Sequence, residues 1–198
     1  MNMKTIHYQI RFFSYWHTGS GLSGGAYTDL LVNKTKQNLP FIPGRTLKGL
    51  FREAGVIING FDSSLVSQDF IYQVFGESPD ENKMQKELYT KEALSYFSNA
   101  NISEHVTKGI IENEKQPFLY EILASTKIDK QGLAEDGTLR QMEVTIPLTL
   151  YGMIDHFPDR SDFIEQLAYC MSWVKRLGLN RNRGLGRCEF SIVKTTEA

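Results

Sequence analysis

The sequence predicts an α+β fold in which helices cover one face of an antiparallel sheet. Two segments carry the i, i+3, i+4 apolar spacing of amphipathic helices, and several others alternate with the period of strands. They follow one another as strand, helix, strands, helix, strand, which is the order of a two-layer sandwich. The 198 residues suffice for one domain with a full core and leave little room for two.

Met3 to Ser14 reads as the first strand, with Ile6, Tyr8, Ile10 and Phe12 on one face. His17 to Gly25 is a Gly/Ser-rich loop, followed by a short extended piece from Leu30 to Val32. Pro40 and Pro43 exclude helix between Asn38 and Gly44 and predict a turn. Arg45 to Ala54 is a short helix, because Leu47, Leu50, Phe51 and Ala54 form one stripe; Thr46 is its expected N-cap and Gly55 its expected C′ residue. Residues 59–103 are weakly patterned, with one apolar patch from Phe70 to Phe75 ended by Gly76, and read as an insertion. Phe118 to Thr126 and Gln141 to Ile154 read as strands joined through the Gly- and Asp-rich Lys127 to Arg140, a long hairpin region over 118–154. Ser161 to Leu177 is the clearest helix: Ser161 is its expected cap, Ile164, Leu167, Ala168, Met171 and Val174 its stripe, and Gly178 its stop. Gly186 to Lys194 is the last strand. The whole is a ferredoxin-like (RRM-like) sandwich whose second sheet face stays open for a ligand, as in sheet-platform RNA binders.

Composition narrows the class. Apolar residues at 41% and charged residues at 23% are ordinary globular usage and argue against disorder. No apolar run approaches the length of a membrane span, and Met1 to Arg11 has no signal-peptide core, so a cytoplasmic protein with no membrane partner is expected. Cys170 and Cys188 form no CxxC pair and read as buried hydrophobes, and His7, His17, His105 and His156 show no zinc spacing. A net charge of −1 hides a segregation: Lys34 to Arg52 and Lys175 to Arg187 each hold five basic residues and no acid. Local potential, not the total, decides whether a phosphate-rich partner is attracted.

Three segments carry chemistry. In Phe41-Ile-Pro-Gly-Arg-Thr-Leu-Lys-Gly-Leu-Phe-Arg52 a Pro-Gly turn feeds a helix whose start is basic. Free amides and the positive end of the helix dipole favour a phosphate there, with Arg45, Thr46, Lys48 and Arg52 close by; the spacing is not that of a P-loop, and on spacing alone an exposed basic helix is the commoner reading. In Leu177-Gly-Leu-Asn-Arg-Asn-Arg-Gly-Leu-Gly-Arg187, Gly178, Gly184 and Gly186 let backbone approach a ligand, while Arg181, Arg183 and Arg187 repel one another unless an anion joins them. The loop from Gly19 to Val32 holds one acid, Asp29; a lone loop aspartate is usually a turn former.

Taken together and in order, these pieces resemble the RAMP superfamily of CRISPR-associated proteins, above all the multi-copy backbone subunits of type III effector complexes. The resemblance rests on His17-Thr-Gly-Ser-Gly21, Asp29, Ile42-Pro-Gly-Arg-Thr-Leu-Lys-Gly49, Val74-Phe-Gly76, Thr126-Lys-Ile-Asp129, Gly132-Leu-Ala134, Leu139, Glu143 and Arg181-Asn-Arg-Gly-Leu-Gly-Arg187. Arg45 departs from the serine common in the family, and Leu30-Leu31 lacks a usual proline. The resemblance implies a single RAMP domain over 1–198: a modified ferredoxin-like palm with a thumb β-hairpin and an inserted segment. It implies copies stacked in a filament along guide RNA, beside other effector subunits. His17, Gly19, Ser20, Arg45, Thr46, Lys48, Arg52, Arg181, Arg183, Gly184, Gly186 and Arg187 would bind the RNA. Ile128, Leu133 and Met142 would form the thumb wedge. It further implies that Asp29, with Mg²⁺ or another divalent metal, cuts complementary target RNA at flipped nucleotides, the metal neutralising phosphate charge. The alternative is a non-catalytic guide-RNA-binding subunit, with cleavage by another protein and Asp29 as a loop former.

Overall fold

The computed structural model describes residues 2–21, 29–76 and 92–197. Its centre is a four-stranded antiparallel sheet made of β1 (Met3–Phe12), β2 (Tyr96–Phe97), β5 (Thr149–Pro158) and β6 (Cys188–Glu197), in the order β2-β5-β1-β6. The helices α1 (Gly44–Phe61) and α4 (Ser161–Trp173) connect β1 to β2 and β5 to β6. Two β-α-β units therefore interleave, each placing one strand at the centre and one at an edge, which is the expected ferredoxin-like palm.

Alternation along β1 builds the core. Ile6, Tyr8, Ile10 and Phe12 are buried, while His7, Gln9 and Arg11 take the other face. Leu150, Ile154 and Phe157 of β5 join the buried face. From the helical layer come Leu47, Phe51, Ala54 and Ile58 of α1, and Phe163, Leu167, Cys170 and Met171 of α4. Phe51 sits at the centre, 4.9 Å from the Phe190 ring and 6.2 Å from the Tyr8 ring, both edge-on. Gly152 lies beneath the Tyr8 hydroxyl, where a β-carbon would collide with the phenol.

Several boundaries differ from the sequence reading. Helix α1 runs on to Phe61; Gly55 lies inside it, at a point where a β-carbon would stand 3.4 Å from Cys170 Sγ of α4. The glycine permits helix–helix approach there and does not stop the helix. Pro43, not Thr46, is the N-cap, and the Gly44 amide donates to Asn99 Oδ1 at 2.9 Å. Residues 59–103 are not simply an insertion. They contain the end of α1, then α2 (Gln68–Phe75), capped by Ser67 and buried through Phe70, Ile71, Val74 and Phe75, then the edge strand β2. A helix unmarked in the sequence reading, α3 (Glu104–Glu112), follows and has no buried residue. Gln141 to Ile154 is two strands, β4 (Arg140–Thr145) and β5, parted at Pro147, which has no N–H for a ladder. Helix α4 starts at Ser161 with Arg160 as N-cap and gives way at Val174. Among the described residues no helix is long and apolar enough to cross a membrane.

The hairpin is a separate two-stranded sheet. β3 (Tyr120–Ser125) pairs with β4 from Tyr120↔Thr145 to Ser125↔Arg140, and an Ile128↔Ala134 bridge extends it. At the tip Asp129 Oδ1 accepts the amides of Gln131 and Leu133 at 2.8 and 2.9 Å, an Asx turn. Trp16 ties hairpin to palm: its ring stacks on Phe12 with centroids 4.5 Å apart, its Nε1–H donates to Ile146 O, and its backbone pairs with Thr145.

Candidate nucleic-acid interface

The three chemistry-bearing segments meet where the hairpin leaves the palm. The segment after β1 pairs with the extended piece beyond Asp29. Asn33 N–H donates to Thr18 O at 2.8 Å, Ser20 N–H to Leu31 O at 2.9 Å, and the Gly19↔Val32 bridge lies between them. The glycines Gly24 and Gly25 of this loop lie outside the described residues.

That extended piece lies on the outer side of β4 in parallel, through the Leu30↔Met142 bridge. Asp29 N–H donates to Gln141 O at 2.9 Å, and Gln141 N–H donates to Asp29 Oδ2 at 2.8 Å. The Asp29 carboxylate is exposed and oriented by this reciprocal pair. Glu143, only 7% exposed, locks the next residues: Oε2 accepts Val32 N–H at 3.1 Å and Oε1 holds Lys34 Nζ at 2.6 Å. Lys34 also lies 3.9 Å over the Tyr120 ring of β3. Reading Glu143 only as a motif position missed this role. Its signal was an acid set between the apolar Met142 and Val144 within a strand.

The glycine-rich loop closes against the same place. Leu179 N–H donates to His17 O and Gly186 N–H to Tyr15 O, at 2.9 and 2.7 Å. Gly178 (φ +101°) and Gly186 (φ +70°) are required: a β-carbon would strike His17 O at the first and Leu177 O at the second. Asn180 reaches Met142 Sδ at 3.7 Å. Arg181 to Arg183 form one 3₁₀ turn between left-handed Asn180 and Gly184, and Arg181, Arg183 and Arg187 are all exposed.

The expected site residues divide accordingly. Arg45 and Thr46 stand exposed at the start of α1; Lys48 is half-buried, its ammonium 3.5 Å from Ser95 O, and burial followed by the neighbouring Arg52 pushes its pKa down. Arg181 shares a small cleft of about 180 Å³ with Leu50, Glu53, Ala54 and Ile57, so the glycine-rich loop adjoins α1. Among the described residues none of Arg45, Lys48, Arg52, Arg181, Arg183 or Arg187 has a carboxylate within ion-pair distance. Two residues need correction. His17 is 1% exposed and its Nδ1–H donates to Glu143 O at 2.7 Å, so it holds the loop from inside instead of facing a ligand. Met142 is 8% exposed and packs at the hairpin root, because it lies on the covered side of β4; only Ile128 and Leu133 of the expected wedge stand out from the hairpin. No group of three or more His, Cys, Asp and Glu side chains that could hold a metal ion occurs among the described residues.

The family model of the RAMP superfamily matches residues 9–189. No curated protein matches the sequence. Among solved structures, a chain of a type III-B Cmr-beta complex bound to cognate target RNA, determined by cryo-EM, superposes with a TM-score of 0.67 at 13% identity, covering 96% of this chain and 97% of that one. A chain of type III-B Cmr-beta in the apo state gives 0.66 at 15% identity, with the same coverage. At such identity the likeness is one of fold.

Proposed function

We propose a function for this chain from one premise: it belongs to the RAMP superfamily. The chain is a subunit of a type III CRISPR ribonucleoprotein and binds guide RNA through phosphate contacts, working beside copies of itself and other effector subunits. The observation that carries this reading is the glycine-rich loop. Three exposed arginines project from a 3₁₀ turn and its flank, with no carboxylate partner among the described residues, while the backbone on either side is fixed to Tyr15 and His17. Unpaired cations on a fixed backbone fit a polyanion, because no ion pair need be broken and no loop need be reordered on binding. A guide varies in sequence, so contact through phosphates and shape is what a backbone subunit needs. Ile128 and Leu133, 55% and 67% exposed on a hairpin without its own core, serve as an apolar wedge against bases. The test is retention of guide-length RNA by the purified chain. Arg183→Glu should weaken retention at least tenfold, about 1.4 kcal/mol, while leaving the thermal melt unchanged, and retention equal to wild type would refute the reading.

A second reading adds target cleavage, and the fixed, exposed Asp29 favours it. One carboxylate is no metal cage. It does suit Mg²⁺, which commonly takes one or two protein carboxylates with phosphate oxygens and water. Bound there with RNA, the metal would neutralise phosphate charge. Asp29 would hold it through the oxygen that the Gln141 amide leaves free.

A further inference from the structure

Beyond the glycine-rich loop lies an open cleft of about 510 Å³ between the chain leaving α4 and the start of β6. Its rim carries Phe13, Lys175, Arg176 and Arg187, with Glu189 as its one acid, and Cys188 lies at its floor. We infer that this cleft is a binding subsite for a single RNA nucleotide, its base lying on the Phe13 ring and its phosphate between Lys175 and Arg187. The inference rests on the RNA-binding reading above and names a contact outside the glycine-rich loop's turn.

Size, charge and rigidity support it. The volume falls in the range of small-ligand clefts, which bury a flat apolar group and orient it with a few polar ones. Phe13 is 44% exposed and lies beyond the end of β1, with the Arg11 and Arg187 guanidinium carbons 5.3 and 5.7 Å from its centroid. The ring is left half in water, and its uncovered part, continued by the planar guanidinium groups over its margin, offers π surface that any base can use. Arg176 spends one N–H on Arg181 O at 2.7 Å; Lys175 and Arg187 have no carboxylate within ion-pair distance among the described residues. Glu189 faces Arg11 across the β1–β6 pairing yet makes no ion pair with it, so its acceptors are free for a ribose hydroxyl. The walls are fixed: Phe13 N–H donates to Arg187 O at 2.8 Å, Arg187 N–H to Ser14 Oγ at 3.0 Å, and Cys188 N–H to Lys175 O at 3.0 Å. Cys188 is buried and its thiol is pushed up to about 12 by burial, so the floor stays uncharged.

Photo-crosslinking with RNA carrying 4-thiouridine, followed by peptide mapping, tests this on the full chain. Adducts are expected on the Phe13 peptide as well as on the glycine-rich loop. Phe13→Leu retains apolar bulk and removes the ring; it should erase the Phe13-region adduct and weaken short single-stranded RNA by roughly 5- to 100-fold, the range for loss of one base stack. Lys175→Gln should weaken binding while leaving the adduct on the Phe13 peptide. Adenosine 5′-monophosphate as competitor separates the sources: suppression of the Phe13 adduct alone identifies a site open to free nucleotides, and no suppression identifies one that takes a nucleotide only within a chain. Adducts on the glycine-rich loop with none near Phe13, and Phe13→Leu binding like wild type, would overturn this inference and leave the proposed function standing. Absence of RNA binding altogether would overturn both.

Discussion

Glu143→Ala should loosen the joint between hairpin and palm. The substitution strips the acceptor from Val32 N–H, a buried amide at 3.1 Å, and the partner from Lys34 Nζ at 2.6 Å. A buried amide left unpaired costs roughly 1–3 kcal/mol. The ion pair adds on the order of 1 kcal/mol, because the Lys34 side chain is 26% exposed and can turn to water while still covering Tyr120. The total of about 2–4 kcal/mol corresponds to a Tm lower by roughly 5–15 °C for a chain of this size. Glu143→Gln keeps an oxygen for Val32 and loses only the charge, so about 1 kcal/mol is expected. The His17 bond to the Glu143 carbonyl survives both changes, since it is made by backbone. Differential scanning calorimetry gives the Tm, and hydrogen exchange at Leu30 to Val32 gives the local loosening. An alanine variant melting within 1 °C of wild type, with unchanged exchange at those amides, would refute the reasoning.

Asp29→Asn keeps an oxygen for the Gln141 amide and removes the charge, so it should leave folding and guide binding intact and abolish Mg²⁺-dependent cutting of matched target RNA; equal cutting by both proteins in a timed assay against an EDTA control would sink the catalytic reading. Gly178→Ala places a β-carbon against His17 O at φ +101°, and should cost at least about 2 kcal/mol and impair RNA binding, read by thermal melt and electrophoretic shift. Asp162 has its pKa lowered from 3.8, first by the hydrogen bond from Arg160. Its stabilising contribution is therefore present above about pH 4 and lost as pH falls below that. Asp162→Asn should narrow the stability loss between pH 5 and pH 3; an acid-induced loss the same as wild type would contradict it.

The palm was legible because its signals are periodic. Ile6, Tyr8, Ile10 and Phe12 alternate, and Leu47, Leu50, Phe51 and Ala54 recur at helical spacing, so β1 and the first turns of α1 could be placed. The edge strand β2 could not, since two residues have no period; it exists because Tyr96 and Phe97 pair with Asp155 and Ile154. Gly55 misled for the opposite reason: a glycine that ends one helix lets another approach a neighbour, and only the Cys170 contact separates the two. In α3 the apolar residues Val106, Ile110 and Ile111 lie in a helix of only nine residues with Gly109 among them, too short a run to set it apart from a loop. At the site, the glycines and arginines of the C-terminal loop were visible as a composition anomaly. The inward turn of His17 and Met142 was not, because a residue's depth at a joint between two sheets depends on how they dock.

The central claim is that unpaired arginines of the glycine-rich loop hold RNA phosphates. The salt dependence of RNA affinity tests it most directly, because each phosphate contact to a single strand contributes about 0.7 to the slope of log K against log salt. Wild type and a variant carrying Arg181→Gln, Arg183→Gln and Arg187→Gln should be titrated with the same single-stranded RNA across a salt series. The account predicts weaker binding by the variant and a slope shallower by about 2, for three lost contacts. A variant that binds with the wild-type slope would contradict it.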